Sequence, residues 1–77
     1  MTDVFFPDVS GKGGDSEGVV ATWFVSDGEQ VAEGGLLAEV AVDKVNVEIT
    51  APAGGTLRVL VAEGQTARQG AVIARLD

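Results

Sequence analysis

The sequence has no cysteine and no histidine among its 77 residues. Their absence excludes disulfides, thiol nucleophiles, zinc sites of ordinary composition and the usual general base at neutral pH. Catalysis by serine–histidine–aspartate or cysteine–histidine arrangements is excluded for the same reason. A chain this short forms a single domain, residues 1–77, and buries too little surface to enclose a deep active site. We therefore expect no metal site and a function carried out at the surface.

Basic residues are scarce as well. Five lysines and arginines stand against twelve acidic residues, which gives a formal net charge of −7. Such a charge repels phosphate backbones and anionic membrane surfaces, so nucleic acid and membranes are poor candidate partners. The sequence also lacks a long apolar run and a basic N-terminal segment followed by an apolar stretch, so neither a membrane span nor a signal peptide is predicted. We expect an intracellular, cytoplasmic location.

Glycine, valine and alanine are abundant instead. Eleven glycines accompany only three phenylalanines and one tryptophan, a composition that favours short strands joined by tight turns. Hydrophobic residues make up 45% of the chain and occur in clusters, which argues against disorder despite the acidity.

An internal repeat appears when the chain is shifted by 36 residues against itself. The identities are Val25, Gly28, Gly34 and Ala38 on Val61, Gly64, Gly70 and Ala74. Each half shows the order strand, acidic-Gly turn, connector, glycine and strand, and this matched spacing makes chance similarity the weaker interpretation. Two such halves packed face to face predict an all-β fold, a flattened barrel-sandwich hybrid of two small antiparallel sheets with pseudo-two-fold symmetry. Pro52 interrupts the strand pattern between the halves and marks the crossover.

Residues 38–49 predict a β-hairpin with a two-residue turn at Asp43-Lys44. In this register one face is apolar, with Val42 opposite Val45, Val40 opposite Val47 and Ala38 opposite Ile49. The other face places Glu39 opposite Glu48, and must face water because directly opposed like charges are destabilising. Lys44 then lies at the tip.

A lysine on a turn is usually a solvated charge. This chain, however, has only two lysines, and Lys44 is the one at the tip of an amphipathic hairpin. Lys12 lies in the glycine-rich segment from Ser10 to Ser16, which we interpret as a flexible surface loop. That segment lacks the spacing of a phosphate-binding loop, so nucleotide binding is discounted.

Several short motifs occur in a specific order along nearly the whole chain. They are Phe6-Pro7-Asp8-Val9, Glu17-Gly18, Trp23, Asp27-Gly28, Val31, Gly34, Leu37, Glu39, Val42-Asp43-Lys44-Val45, Glu48, Ala51-Pro52, Gly55, Glu63-Gly64 and Gly70. In this arrangement the chain resembles the lipoyl domains of dihydrolipoyl acyltransferases in 2-oxoacid dehydrogenase complexes, members of the biotinyl/lipoyl attachment family. Asp43-Lys44-Val45 followed by Glu48 is the most specific part of the match.

The resemblance implies a carrier function. Lys44 would bear lipoic acid through an amide bond, with Asp43 and Val45 flanking it in the turn. The domain would be a non-catalytic part of an acyltransferase, shuttling acyl groups and reducing equivalents between active sites. The implied partners are a lipoate ligase or lipoyl transferase, a thiamine-diphosphate 2-oxoacid decarboxylase, the acyltransferase core and a dihydrolipoyl dehydrogenase.

The resemblance implies that the loop from Ser10 to Ser16 takes part in partner recognition. This loop belongs to the segment between Pro7 and Trp23, which is about two residues longer and richer in glycine than the usual family pattern. Glu39 and Glu48 are further candidates for an acidic docking surface. For these two residues an equally good interpretation is that they are solvated strand residues that oppose aggregation.

Two alternatives remain. The first is a biotinyl carrier domain, which resembles a lipoyl domain but centres its hairpin on Ala-Met-Lys-Met, whereas the one methionine here is Met1. The lipoyl-bearing protein of glycine cleavage ranks lower, because it is longer and differs around its lysine. The second alternative is an unmodified structural barrel-sandwich module. The intact mass of the protein after treatment with a lipoate ligase and lipoate distinguishes a carrier from such a module.

Overall fold

The computed structural model describes residues 2–8, 17–42 and 44–77, and within them the chain forms strands and turns without a helix. No helix with the length and apolarity needed to cross a membrane is therefore found among these residues. The strands are β1 (Thr2–Phe5), β2 (Glu17–Trp23), β3 (Gln30–Val31), β4 (Leu36–Val42), β5 (Val45–Thr50), β6 (Gly55–Val59), β7 (Thr66–Arg68) and β8 (Val72–Leu76). The prediction of an all-β fold is confirmed.

The strands form two antiparallel sheets of four strands each. One has the order β5-β4-β2-β7 and is called here the lysine sheet, because Lys44 connects two of its strands. The other, the opposite sheet, has the order β1-β8-β6-β3. Alternate side chains of both sheets point inward and form one apolar core, as in other sheet-on-sheet packings. The largest fully buried side chains are Phe6, Leu37, Leu57, Ile73, Leu76, Val20, Val40 and Val42.

The predicted two-fold symmetry is present in both the topology and the hydrogen bonds. Exchanging β5, β4, β2 and β7 for β1, β8, β6 and β3 converts one strand order into the other. The Glu29 amide donates to the Ser26 carbonyl at 3.0 Å, and 36 residues later the Gln65 amide donates to the Ala62 carbonyl at 3.1 Å. The sequence repeat is therefore a structural repeat.

The two halves interlock more closely than simple face-to-face packing requires. The first half supplies β2, β4 and β5 to the lysine sheet but contributes its short strand β3 to the opposite sheet. The second half does the reverse with β7, which pairs with β2. Each sheet is thus closed by a strand from the other half, so neither half can complete a sheet alone.

The acidic-Gly turns follow the same symmetry. Gly28 and Gly64 both have φ near 87°, a left-handed conformation that is strained for residues with a Cβ atom. Pro52 follows the end of β5 and precedes β6, which lies in the opposite sheet. The predicted turns and the predicted crossover are confirmed.

Candidate functional site: the tip of the β4–β5 hairpin

The hairpin has the predicted register. Val42 pairs with Val45, Val40 with Val47, Ala38 with Ile49, Glu39 with Glu48 and Ala41 with Asn46. The connection between β4 and β5 consists of Asp43, which lies outside the described residues, and Lys44, which is in a turn and exposed. The antiparallel pairing thus presents the lysine at one end of its sheet.

The base of the hairpin is packed tightly beneath this lysine. Val42 is 2% exposed and Phe6 is 1% exposed. A Cβ atom on Gly18 of β2 would lie 2.6 Å from the Ala41 carbonyl oxygen and 2.8 Å from a Val42 methyl, and would also collide with the Phe6 ring. The absence of a side chain at Gly18 therefore lets the Phe6 ring and β4 approach each other, which makes the support of Lys44 rigid.

Val45 departs from the pattern of the apolar face. It follows Lys44 directly and is 52% exposed, whereas its partner Val42 is buried. The reason is topological, because β5 is the outer strand of its sheet and Val45 therefore has a neighbouring strand on one side alone. The site therefore combines an exposed amine with an exposed aliphatic side chain.

The chemistry available at this tip is that of a primary amine. The ion pairs found among residues 2–8, 17–42 and 44–77 join Arg58 to Asp77 and Arg75 to Asp3. Lys44 takes part in neither, so its amine is accessible for forming an amide with a carboxylic acid. Such an amide is the linkage by which lipoic acid or biotin is attached, and an exposed lysine on a rigid hairpin fits it. In the same described part of the chain, no group of three acidic, histidine or cysteine side chains could hold a metal ion.

Glu39 and Glu48 lie directly opposite each other on the two strands of the hairpin. Glu48 is exposed and Glu39 is half-buried, and neither belongs to the ion pairs just named. At the symmetry-equivalent positions of the opposite sheet, Asp3 pairs with Arg75 and their side chains form a salt bridge of 3.3 Å. The same position in the fold is an ion pair on the opposite sheet, whereas on the lysine sheet it holds two carboxylates that form no ion pair with another described residue.

Part of the predicted site falls on residues that the structure does not describe. The segment from Ser10 to Ser16, with Lys12, lies outside the described residues, as does Asp43. The structure brings together Lys44, Val45 and, farther down the hairpin, the Glu39/Glu48 pair.

The carboxylates of the two acidic-Gly turns make a reciprocal pair of contacts that was not predicted from the sequence. Asp27 Oδ1 accepts a hydrogen bond from the Val59 amide at 2.8 Å, and Glu63 Oε1 accepts one from the Trp23 amide at 3.0 Å. The Trp23 indole also donates to the Val61 carbonyl at 2.9 Å. The available signal was the 36-residue separation of Asp27 and Glu63, which predicted equivalent turns but not their partners.

Comparison with known proteins gives a consistent match. Residues 3–76 match the biotin/lipoyl family model described as "biotin-requiring enzyme". The dihydrolipoyllysine-residue acetyltransferase component of the pyruvate dehydrogenase complex of Staphylococcus aureus is 45% identical over 62 residues, which cover 79% of this chain and 14% of that protein. The corresponding component of Staphylococcus epidermidis matches with the same identity and coverage. The chain thus spans only a small part of the length of these curated relatives.

A solved structure agrees with the sequence relatives. The lipoyl domain of the 2-oxoglutarate dehydrogenase complex from Azotobacter vinelandii superposes with a TM-score of 0.75 at 30% identity. The match covers 100% of this chain and 96% of that domain. The barrel-sandwich architecture is therefore that of a lipoyl domain.

Proposed function

Because the chain belongs to the biotin/lipoyl attachment family, we propose that it is a lipoyl carrier domain modified on Lys44. The observation that carries this proposal is the exposed position of Lys44 at the turn of a hairpin whose base is buried. Relatives named as a dihydrolipoyllysine-residue acetyltransferase and as a lipoyl domain support it.

Lipoic acid is a better candidate than biotin. The family model alone covers both attachments. The named relatives are lipoyl proteins, and Lys44 is flanked by Asp43 and Val45, not by the methionines of biotinyl domains. Both observations favour the lipoyl group.

The role of the chain in attachment is to supply one nucleophile in one place. A ligase would deliver lipoate with an activated carboxyl group. The Lys44 amine adds to that carbonyl carbon, the activating group leaves with its electron pair, and the nitrogen loses a proton to give a neutral amide. The packed base of the hairpin positions the Lys44 backbone, from which the flexible side chain extends, relative to the surface that the ligase would recognise.

The role of the chain after attachment is presentation. When bound, the lipoyl group supplies a dithiolane that can take up acyl groups and electrons. The domain contributes no general base or metal ligand of its own from histidine or cysteine. It would carry the group, as part of a dihydrolipoyl acyltransferase, between a thiamine-diphosphate decarboxylase, the acyltransferase core and a dihydrolipoyl dehydrogenase, and tethering keeps the local concentration of the group high at each.

We further propose that Glu39 and Glu48 belong to the surface that these partners or the ligase contact. Within residues 2–8, 17–42 and 44–77 neither carboxylate forms an ion pair, although the equivalent position on the opposite sheet is one. Directly opposed like charges cost stability, so the pair does not stabilise the folded domain. A basic partner surface would neutralise them.

The attachment site is tested by comparing the variants Lys44→Arg and Lys12→Arg after incubation with a lipoate ligase, lipoate and ATP. We expect the Lys12→Arg protein to gain the mass of one lipoyl group and the Lys44→Arg protein to gain none. Peptide mapping locates the modified residue. Modification that persists in Lys44→Arg, or modification by a biotin ligase in place of the lipoate ligase, would refute the proposal.

A further inference from the structure

An open groove lies between the edge strands of the two sheets. It has a volume of about 320 Å³ and is lined by Asp3, Val4, Phe5, Ile49, Thr50 and Pro52. β1 and β5 are the outer strands of their sheets, so the groove runs along the seam where the sandwich is not closed by further pairing. The Phe5 side chain is 55% exposed at this seam.

Three aliphatic side chains of β5, called here the apolar track, lie between Lys44 and this groove on the side of the strand that faces the core. Val45, Val47 and Ile49 alternate along β5 and therefore point to the same side of the strand. The first is 52% exposed, the second is half-buried and the third is 7% exposed where it lines the groove. The track thus begins beside the lysine in solvent and ends in the groove.

The length of the track matches the length of a lipoylated lysine. Ile49 is five positions after Lys44 in the sequence, a span of roughly 16 Å at the usual rise per residue of a strand. Twelve bonds separate the lysine Cα atom from the nearer sulfur of the lipoyl group, which corresponds to about 15 Å when extended. An apolar cavity of about 150 Å³ holds a benzene ring, so the groove is large enough for the end of the chain.

We propose that the Val45–Val47–Ile49 track and the Phe5 groove form a resting site for the saturated part of the domain's own lipoyl-lysine. This inference rests on the proposed function. Amide formation removes the lysine charge, so laying the chain along β5 does not bury an ionised group. The one acidic residue of the groove, Asp3, is paired with Arg75. The groove is therefore suited to an uncharged aliphatic chain.

The resting site is shallow, which suits a group that must leave it repeatedly. The groove is open along its length and Phe5 and Val45 are both about half exposed, so contact with the chain covers only part of each side chain. Apolar burial on this scale is a weak attraction. Occupation lowers the exposure of the chain to water between encounters without holding it against a partner's active site.

The test compares three forms of the Lys12→Arg protein, in which Lys44 is the remaining lysine. In the three forms Lys44 carries no group, an acetyl group or an octanoyl group. The groups are attached enzymatically or with an activated ester, and peptide mapping identifies the preparations that are modified on Lys44. The octanoyl group has the eight-carbon chain of lipoate without the dithiolane, and the acetyl group neutralises the amine without adding length. Methyl and aromatic NMR spectra are recorded for each form.

We expect the acetyl form to shift resonances at the tip, such as Val45, and the octanoyl form to shift Val47, Ile49, Val4 and Phe5 in addition. Nuclear Overhauser contacts should join the octanoyl methylenes to the Phe5 ring. Phe5→Ser should abolish the added shifts at Ile49. Phe24→Ser is the matched control, since Phe24 is 51% exposed and does not line the groove, and it should leave the shifts unchanged.

Identical spectra of the acetyl and octanoyl forms beyond Val45, or equal effects of Phe5→Ser and Phe24→Ser, would overturn the resting site. Either result leaves Lys44 as a lipoylation site untouched, because intact mass measures that separately. Conversely, a protein that no lipoate ligase modifies can still be octanoylated chemically, so failure of the proposed function and failure of the resting site give different results.

Discussion

Gly18 shows how much one missing side chain contributes to the site. It is buried in β2, against the Phe6 ring and beneath the strand that leads to Lys44. The space that a Cβ atom would need is taken by backbone and by a ring in the core, neither of which can move without disturbing its own packing. The glycine is required by close approach and not by its backbone conformation.

We expect Gly18→Ala to lower the free energy of unfolding by about 1–3 kcal/mol, the usual cost of inserting a methyl group into a packed core. Gly54→Ala is the control, because a Cβ atom there would meet the Val31 carbonyl oxygen at 3.5 Å, an ordinary contact. It should change stability by less than about 0.5 kcal/mol. Urea denaturation measures both, and equal stability of the two variants would contradict this account of Gly18.

For single residues, the sequence indicated which residue forms the site but not how exposed or how tightly packed its neighbours are. Lys44 could be singled out because lysine is rare in the chain and the hairpin is strongly alternating. The exposure of Val45 could not be predicted from alternation, since it depends on which strand lies at the edge of the sheet. Nor could the Gly18 contact, which joins residues from β2, β4 and the segment after β1.

The strands and turns were more predictable than their connections. The side-chain period of two, together with an apolar set that must face the core, leaves one register for the β4–β5 hairpin, and the structure has that register. The exchange of β3 and β7 between sheets was not predicted, because two- and three-residue strands carry almost no periodicity. Their positions are set instead by the acidic-Gly turns.

The two acidic-Gly turns should contribute similar amounts to the free energy of unfolding. Asp27→Ala removes the acceptor for the Val59 amide, and Glu63→Ala removes the acceptor for the Trp23 amide. We expect each to cost about 0.5–1.5 kcal/mol in the free energy of unfolding. The double variant should lose roughly the sum, because the two contacts share no residues.

Glu33→Ala is the control for the turn variants, because Glu33 is an exposed acidic residue whose side chain makes no hydrogen bond or ion pair within the described part of the chain. It should be close to the parent protein in thermal or urea unfolding. A cost for Glu33→Ala as large as for Asp27→Ala would mean that general charge effects, and not the two hydrogen bonds, determine the result.

The molecule as a whole contains its own comparison, because its two sheets have the same frame and different charges. Glu48 and Glu39 correspond to Asp3 and Arg75. The overall charge of −7 could be read from composition, but its placement could not, since equivalent positions are recognised only once both sheets are aligned. The sheet with the two opposed carboxylates is the one that carries Lys44.

We expect the double variant Glu39→Gln/Glu48→Gln, once lipoylated, to react several-fold more slowly with a 2-oxoacid decarboxylase in kcat/KM, because it loses charge that guides encounter with a basic surface. The effect should shrink as salt is added. Stability should stay the same or rise slightly, since a repulsive pair is removed. Steady-state kinetics at two ionic strengths and urea denaturation provide these values.

The matched control is Glu33→Gln/Asp77→Asn, which changes the net charge by the same amount away from the hairpin and the groove. Asp77 forms an exposed ion pair with Arg58, whose loss costs little stability, and Glu33 is exposed. This control should leave kcat/KM near that of the parent domain. An equal fall in both double variants would assign the effect to net charge, and no fall in either would remove Glu39 and Glu48 from the docking surface.

The position of Asp77 determines how the domain can be attached to a surface or a label while Lys44 stays accessible. Its backbone amide and carbonyl bond to Thr56 at 2.9 and 3.0 Å, just beyond the crossover that follows the far end of β5. A strand of six residues, roughly 20 Å long, separates that end from Lys44. A dye, a bead or a sensor surface coupled at Asp77 would therefore lie away from the amine, and binding could be recorded on anchored molecules without blocking the lysine.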